Sequence, residues 1–178
     1  MSFYGCKRGN MFEKEIALLD STKIVLQVKL NELQRSEQNI QNFQFQKFGA
    51  YRSFLKSNIK DTVGRAEASA IQSFVNSGKT ISEFSKNKTE LIKQTGTAIL
   101  QIQKLSADLK QNNIQPNVAQ SYCNSEKGHA EELIKVIESN MRALNLSLNS
   151  FKNNLPKTEE YIRQINNGVL PTVVSDPE

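Results

Sequence analysis

His129 is the only histidine in the chain, and it stands three residues after a glutamate in Glu126-Lys127-Gly128-His129. On a helix this spacing turns both side chains toward one face. Carboxylate-bridged metal pairs are held that way inside helical bundles, but they take two such motifs and two further glutamates. One histidine cannot complete the set. The simpler reading puts His129 in an apolar register, its ring partly buried and hydrogen-bonded, with no metal and no cofactor.

The same count limits nucleophilic chemistry, since any Ser-His-Asp or Cys-His pair would have to use His129. Cys123 precedes it by six residues, near the opposite side of a helix, so the two do not face each other. Next to Tyr122, Cys123 reads as a partly buried small apolar residue. Cys6 and Cys123 are far apart and form neither a disulfide framework nor a zinc cluster. The eight glycines are scattered singly, which excludes a glycine-rich phosphate loop. Asp61, Glu67 and Glu83 lie in helical stretches, and nothing separates them from an ordinary solvated face. Asn87-Lys88-Thr89 and Asn145-Leu146-Ser147 match the glycosylation pattern, which matters only in a secreted eukaryotic protein.

The composition suits slender helices. Apolar residues make up 38% of the 178 residues, below the roughly 45–50% usual for a globule. Aromatics are nine Phe and four Tyr, with no Trp. The net charge of +5 comes from 23 basic and 18 acidic residues. These alternate finely, as in Glu13-Lys14-Glu15, whereas nucleic-acid binding needs a concentrated basic face. No nucleic-acid partner is expected. The polar faces are filled instead with Asn and Gln, and no stretch approaches a membrane span.

The spacing predicts an all-α protein, an elongated antiparallel bundle or coiled-coil hairpin of three to five helices. Residues 1–10 read as a flexible tether, 11–168 as the bundle and 169–178 as a loose tail. Phe12, Ile16, Leu19, Leu26, Leu30, Leu33 and Ile40 step by three, four or seven. That predicts a helix from Met11 to about Lys47, with Lys23 and Glu37 as flaws in its seam. Gly49 is the expected break, before a shorter helix through Tyr51, Leu55 and Val63. Asn76-Ser77-Gly78 suggests a turn or kink. A long helix capped by Thr80 or Ser82 follows, carrying Ile81, Phe84, Lys88, Leu91, Thr95, Ala98, Ile102, Leu105 and Leu109. Gln111 to Pro116 stops it.

The next stripe is Val118, Tyr122, His129, Leu133, Ile137, Met141, Leu144, Leu148, Phe151 and Leu155. Pro156 either ends or kinks this helix, or opens a continuation through Tyr161 and Ile165. Asn167-Gly168 closes it. A short loop between two long helices makes them antiparallel. Phe43, Phe45, Phe48, Tyr51 and Phe54 form a dense aromatic group, read as local core packing or an exposed contact patch.

The start of the chain, Ser2-Phe3-Tyr4-Gly5-Cys6 followed by Lys7-Arg8-Gly9-Asn10, resembles the end of a bacterial lipoprotein signal peptide. There a small residue precedes the cysteine that is lipidated. The resemblance implies a lipid on Cys6 and an upstream signal missing from this chain. More broadly, the segment from Ile81 through Leu109-Lys110-Gln111-Asn112-Asn113 is similar to an uncharacterised helical lipoprotein family of Bacteroidetes-type bacteria. Tyr122, Ser125-Glu126-Lys127, Ala130-Glu131-Glu132-Leu133-Ile134 and Tyr161-Ile162 add to the likeness. It implies a location and a fold, and supplies no catalytic residue.

The expected function is therefore a non-enzymatic lipoprotein of the cell envelope, a helical spacer, adaptor or binding module. It would be anchored through Cys6, periplasmic or surface-facing, with an envelope protein or polymer as partner. The alternative is a cytoplasmic coiled-coil adaptor or oligomeric scaffold, which needs the same helices and no lipid.

Overall fold

The computed structural model describes residues 11–59 and 63–172. Four helices, α1 (Glu13–Gln41), α2 (Phe45–Asn58), α3 (Arg65–Lys110) and α4 (Pro116–Ile165), take up 87% of these residues. No strand occurs among them. The protein is an all-α helical bundle, as its spacing predicts.

The long helices bury one residue in seven along a single line. The series are Phe12, just before α1, then Leu19, Leu26, Leu33 and Ile40 on it, and Phe74, Ile81, Lys88, Thr95, Ile102 and Leu109 on α3. On α4 the series is Cys123, Ala130, Ile137, Leu144, Phe151 and Thr158. Every member is 7% exposed or less. Seven residues come close to two helical turns, so each series stays on one face.

The ends follow local chemistry. Glu13 and Glu15 lie in the first turn of α1, where carboxylates oppose the positive end of the helix dipole. After α3, Asn112 is left-handed (φ 56°), and Asn113 N–H donates to the Asp108 carbonyl at 2.9 Å. Pro116 then opens α4 at the position that needs no N–H donor. At the far end Asn167 (φ 51°) and Gly168 (φ 85°) reverse the chain. Gly168 N–H donates back to the Arg163 carbonyl at 2.8 Å, the expected C-terminal closure.

The chain divides into two compact units. The first combines the chain up to Gln34 with Glu90–Glu138. Its core joins Phe12, Leu19 and Leu26 to Ile99, Ile102 and Leu109 and to the small residues Ala119, Cys123 and Ala130. At its rim Lys29 pairs with Glu138 at 3.1 Å, and Lys110 with Asp20 at 3.5 Å.

The second unit, Arg35–Thr89 with Ser139–Glu178, is built on aromatic rings. Phe74 stacks on Phe151 with centroids 4.9 Å apart, and Phe43 meets Phe151 edge-on at 4.6 Å. Phe48 lies against Phe74 and Phe151 at 5.6 and 6.2 Å. Phe43, Phe48 and Tyr51 are buried, and Phe45 remains 38% exposed. The aromatic group is thus mainly core.

Two expectations need correction here. The first helix stops at Gln41 rather than near Lys47, and Gly49 lies inside α2. The cause is the five-residue step from Phe43 to Phe48, which on one helix sets side chains about 140° apart. Breaking the helix at Asn42-Phe43-Gln44 lets both rings reach Phe151. Second, Asn76-Ser77-Gly78 is no turn, because α3 runs through it. Thr80 and Ser82 bond back to the carbonyls of Asn76 and Gly78 instead of capping. Gly78 is buried directly under the Phe48 ring. Of the alternatives at Pro156, termination does not occur: α4 runs through it to Ile165.

Candidate functional site

The residues of potential chemistry do not come together. Cys6 and the tether Lys7 to Asn10 lie outside the described residues, as does Asp61. His129 is exposed rather than partly buried, and Tyr122 is 52% exposed. The core line of α4 runs one position away, through Cys123 and Ala130. Small residues carry that line, so hydropathy drew the stripe toward their larger neighbours. Glu126 is half-buried beside the line. Among the described residues no group of three His, Cys, Asp or Glu could hold a metal ion.

Cys123 is 1% exposed. Burial, and then the negative charge of Glu15, push its thiol above the ordinary range, the opposite of an activated nucleophile. Glu67 and Glu83 are exposed on α3. Asn87 and Asn145 are exposed within helices rather than on loops.

Two polar pairs of the second unit each bury one partner; the sequence places Lys88 in the stripe and Glu37 in the seam without showing that they meet. Lys88 occupies a core position of α3 and pairs with Glu37 at the end of α1. Its amine meets a carboxylate whose side chain is 52% exposed, so the charge leaves the core along an apolar stem. Tyr51 Oη donates to Glu159 Oε1 at 3.0 Å, and Lys47 Nζ approaches the same oxygen at 2.5 Å. Burial, followed by the hydrogen bond to Glu159, pushes the Tyr51 phenol up to about 12. A phenol held protonated and donating to a carboxylate fastens α2 to α4.

Beside the α1–α2 break lies an open hollow of about 460 Å³. Its floor is Phe43, Leu148, Phe151 and Leu155, and its rim carries the amides of Asn39, Asn42, Gln44 and Asn149 with Lys152. The rim residues are all exposed. The signal for this site was the same Phe43-to-Phe48 step that breaks the helix, set in a run of Asn and Gln. The first unit offers a smaller feature, the exposed Ile24, Val25 and Val28 on the outer face of α1. No described helix is long and apolar enough to cross a membrane.

Comparison with protein-family models, with curated proteins and with solved structures finds no match for the chain.

Proposed function

We propose that this protein is a non-enzymatic helical module of the cell envelope, held to a membrane by a lipid on Cys6 and acting as a spacer, adaptor or binding module. The observation that carries the reading is the Gly5-Cys6 step, followed by Lys7-Arg8-Gly9-Asn10 and, from Glu13, a helical body. A small residue before cysteine is what lipoprotein processing requires. The body itself supports the reading. Two of its polar contacts hold helices together, Lys88 with Glu37 and Tyr51 with Glu159. Its histidine is exposed and its buried thiol is deactivated. Attachment falls to the acyl chains, each buried methylene contributing about 0.8 kcal/mol. The partner in this reading is an envelope protein or polymer met at the surface of the bundle.

Metabolic labelling tests the covalent step. Cells expressing the complete gene are grown with an alkyne fatty acid, and the purified protein is assayed for the tag. Label is expected on the parent and absent from Cys6→Ser. An unlabelled parent, or equal labelling of the variant, would overturn the proposal.

A further inference from the structure

We infer that the hollow beside the Asn42-Phe43-Gln44 break is a binding site for an uncharged glycan bearing N-acetyl groups. This names a ligand for the binding-module part of the proposed function, on which it rests. It does not depend on the lipid at Cys6.

The lining sets an amide rim over an apolar floor. Charged residues make up 23% of the chain, yet the hollow has Lys152 as its one charged residue, no carboxylate and no guanidinium. Asn39, Asn42, Gln44 and Asn149 make no side-chain hydrogen bond to another described residue. The break is what gathers them: α1 ends at Gln41 and α2 begins at Phe45, so amides that one helix would spread around its circumference stand about a single turn. Asn149 faces them from α4.

Each primary amide offers two donors and a carbonyl acceptor. That set matches hydroxyl groups, and it matches an acetamido group best, because N–H and C=O pair with an amide at two points. The acetyl methyl and the C–H face of a sugar then lie over Leu148 and Leu155, which are half-buried. An anionic ligand would find only Lys152, and a cationic one would find no counter-charge. At about 460 Å³ the space is within the range of small-ligand sites and takes roughly two sugar rings. A peptide anchored by one large side chain would need a deep socket. Phe43 and Phe151 close the floor by packing on each other, which leaves a broad surface for a flat ligand.

The test titrates the full chain with N,N′-diacetylchitobiose by calorimetry and by amide shifts in nuclear magnetic resonance. Cellobiose, which lacks the acetamido groups, and the cationic glucosamine disaccharide serve as comparisons. Saturable binding of the acetylated sugar is expected, with both comparisons at least about tenfold weaker. Asn42→Ala and Asn149→Ala, on different elements and both exposed, should each weaken it about fivefold to tenfold while helicity is unchanged. Lys104→Gln, exposed on α3 and outside the hollow, should leave the affinity within about twofold. No saturation by about 10 mM sugar, or equal binding of the amide variants, overturns the site. So does a neutral acetylated tripeptide amide that binds there when the sugar does not. A chain that stays on membranes yet fails to bind sinks this inference and leaves the lipid reading standing. A chain that binds but carries no lipid does the reverse.

Discussion

The ring of Phe48 fills the space where a β-carbon on Gly78 would stand. This contact seats α2 on α3, and it explains a glycine in the middle of a long helix. Glycine there costs about 1 kcal/mol of helix propensity relative to alanine, and the packing of Phe48 on Phe74 and Phe151 offsets it. Gly78→Ala is therefore expected to destabilise by about 1–3 kcal/mol, as overpacked cores do, despite the better propensity. Gly96→Ala and Gly128→Ala, with nothing within 4 Å of the added carbon, should gain about 0.5–1 kcal/mol. Urea melts of the three variants check this. A stabilised Gly78→Ala would mean that Phe48 is not fixed over α3.

Tyr51 gives the second unit an alkaline limit. Its phenol is raised to about 12 from the ordinary 10.0, so folding favours the protonated form. That stability is fully present below pH 10 and is lost as pH rises through 10 toward 12. Tyr51→Phe removes the titration together with the bond to Glu159, and should cost about 1 kcal/mol at neutral pH. Its melting temperature should then fall less steeply than the parent's between pH 10 and 12. Absorbance titration of the parent should show one tyrosine ionising last, and that one missing in the variant. Parallel pH profiles for the two proteins would contradict the contact.

Cys123 reports on the core of the first unit. With the thiol 1% exposed and its ionisation disfavoured, a Cys6→Ser protein should react slowly with a disulfide reagent when native. In denaturant it should react at once. The native rate should rise with subdenaturing urea, because reaction requires opening of the helices. A fast native reaction would show that α4 is not turned with Cys123 and Ala130 inward.

The hairpin of α3 and α4 was legible because its signals agree: three-four spacing on both sides, an Asn-rich stop and Pro116 as a start. The closure at Asn167-Gly168 was legible for the same reason. Other features escaped, the first two because a local signal had two meanings. Gly78 has the look of a turn in sequence, and its role is visible only once Phe48 arrives from thirty positions upstream. The core line at Cys123 and Ala130 was masked by Tyr122 and His129, whose bulk belongs to the surface. The hollow was hidden further still. Its amides look like ordinary solubilising residues until the Phe43-to-Phe48 step breaks the helix and turns them toward Asn149.

The most direct test of the proposed function is where the protein resides in the cell. The complete gene and its Cys6→Ala variant are expressed in parallel, and membranes are washed with high salt, which strips proteins held only by charge. Two or more acyl chains hold firmly through such a wash, whereas one holds weakly. The parent is expected to stay with the membrane and the variant to be released, with equal thermal stability of the two helical bodies. A variant that remains bound like the parent, or a parent recovered in the cytoplasm, would contradict the account and leave a cytoplasmic scaffold in its place.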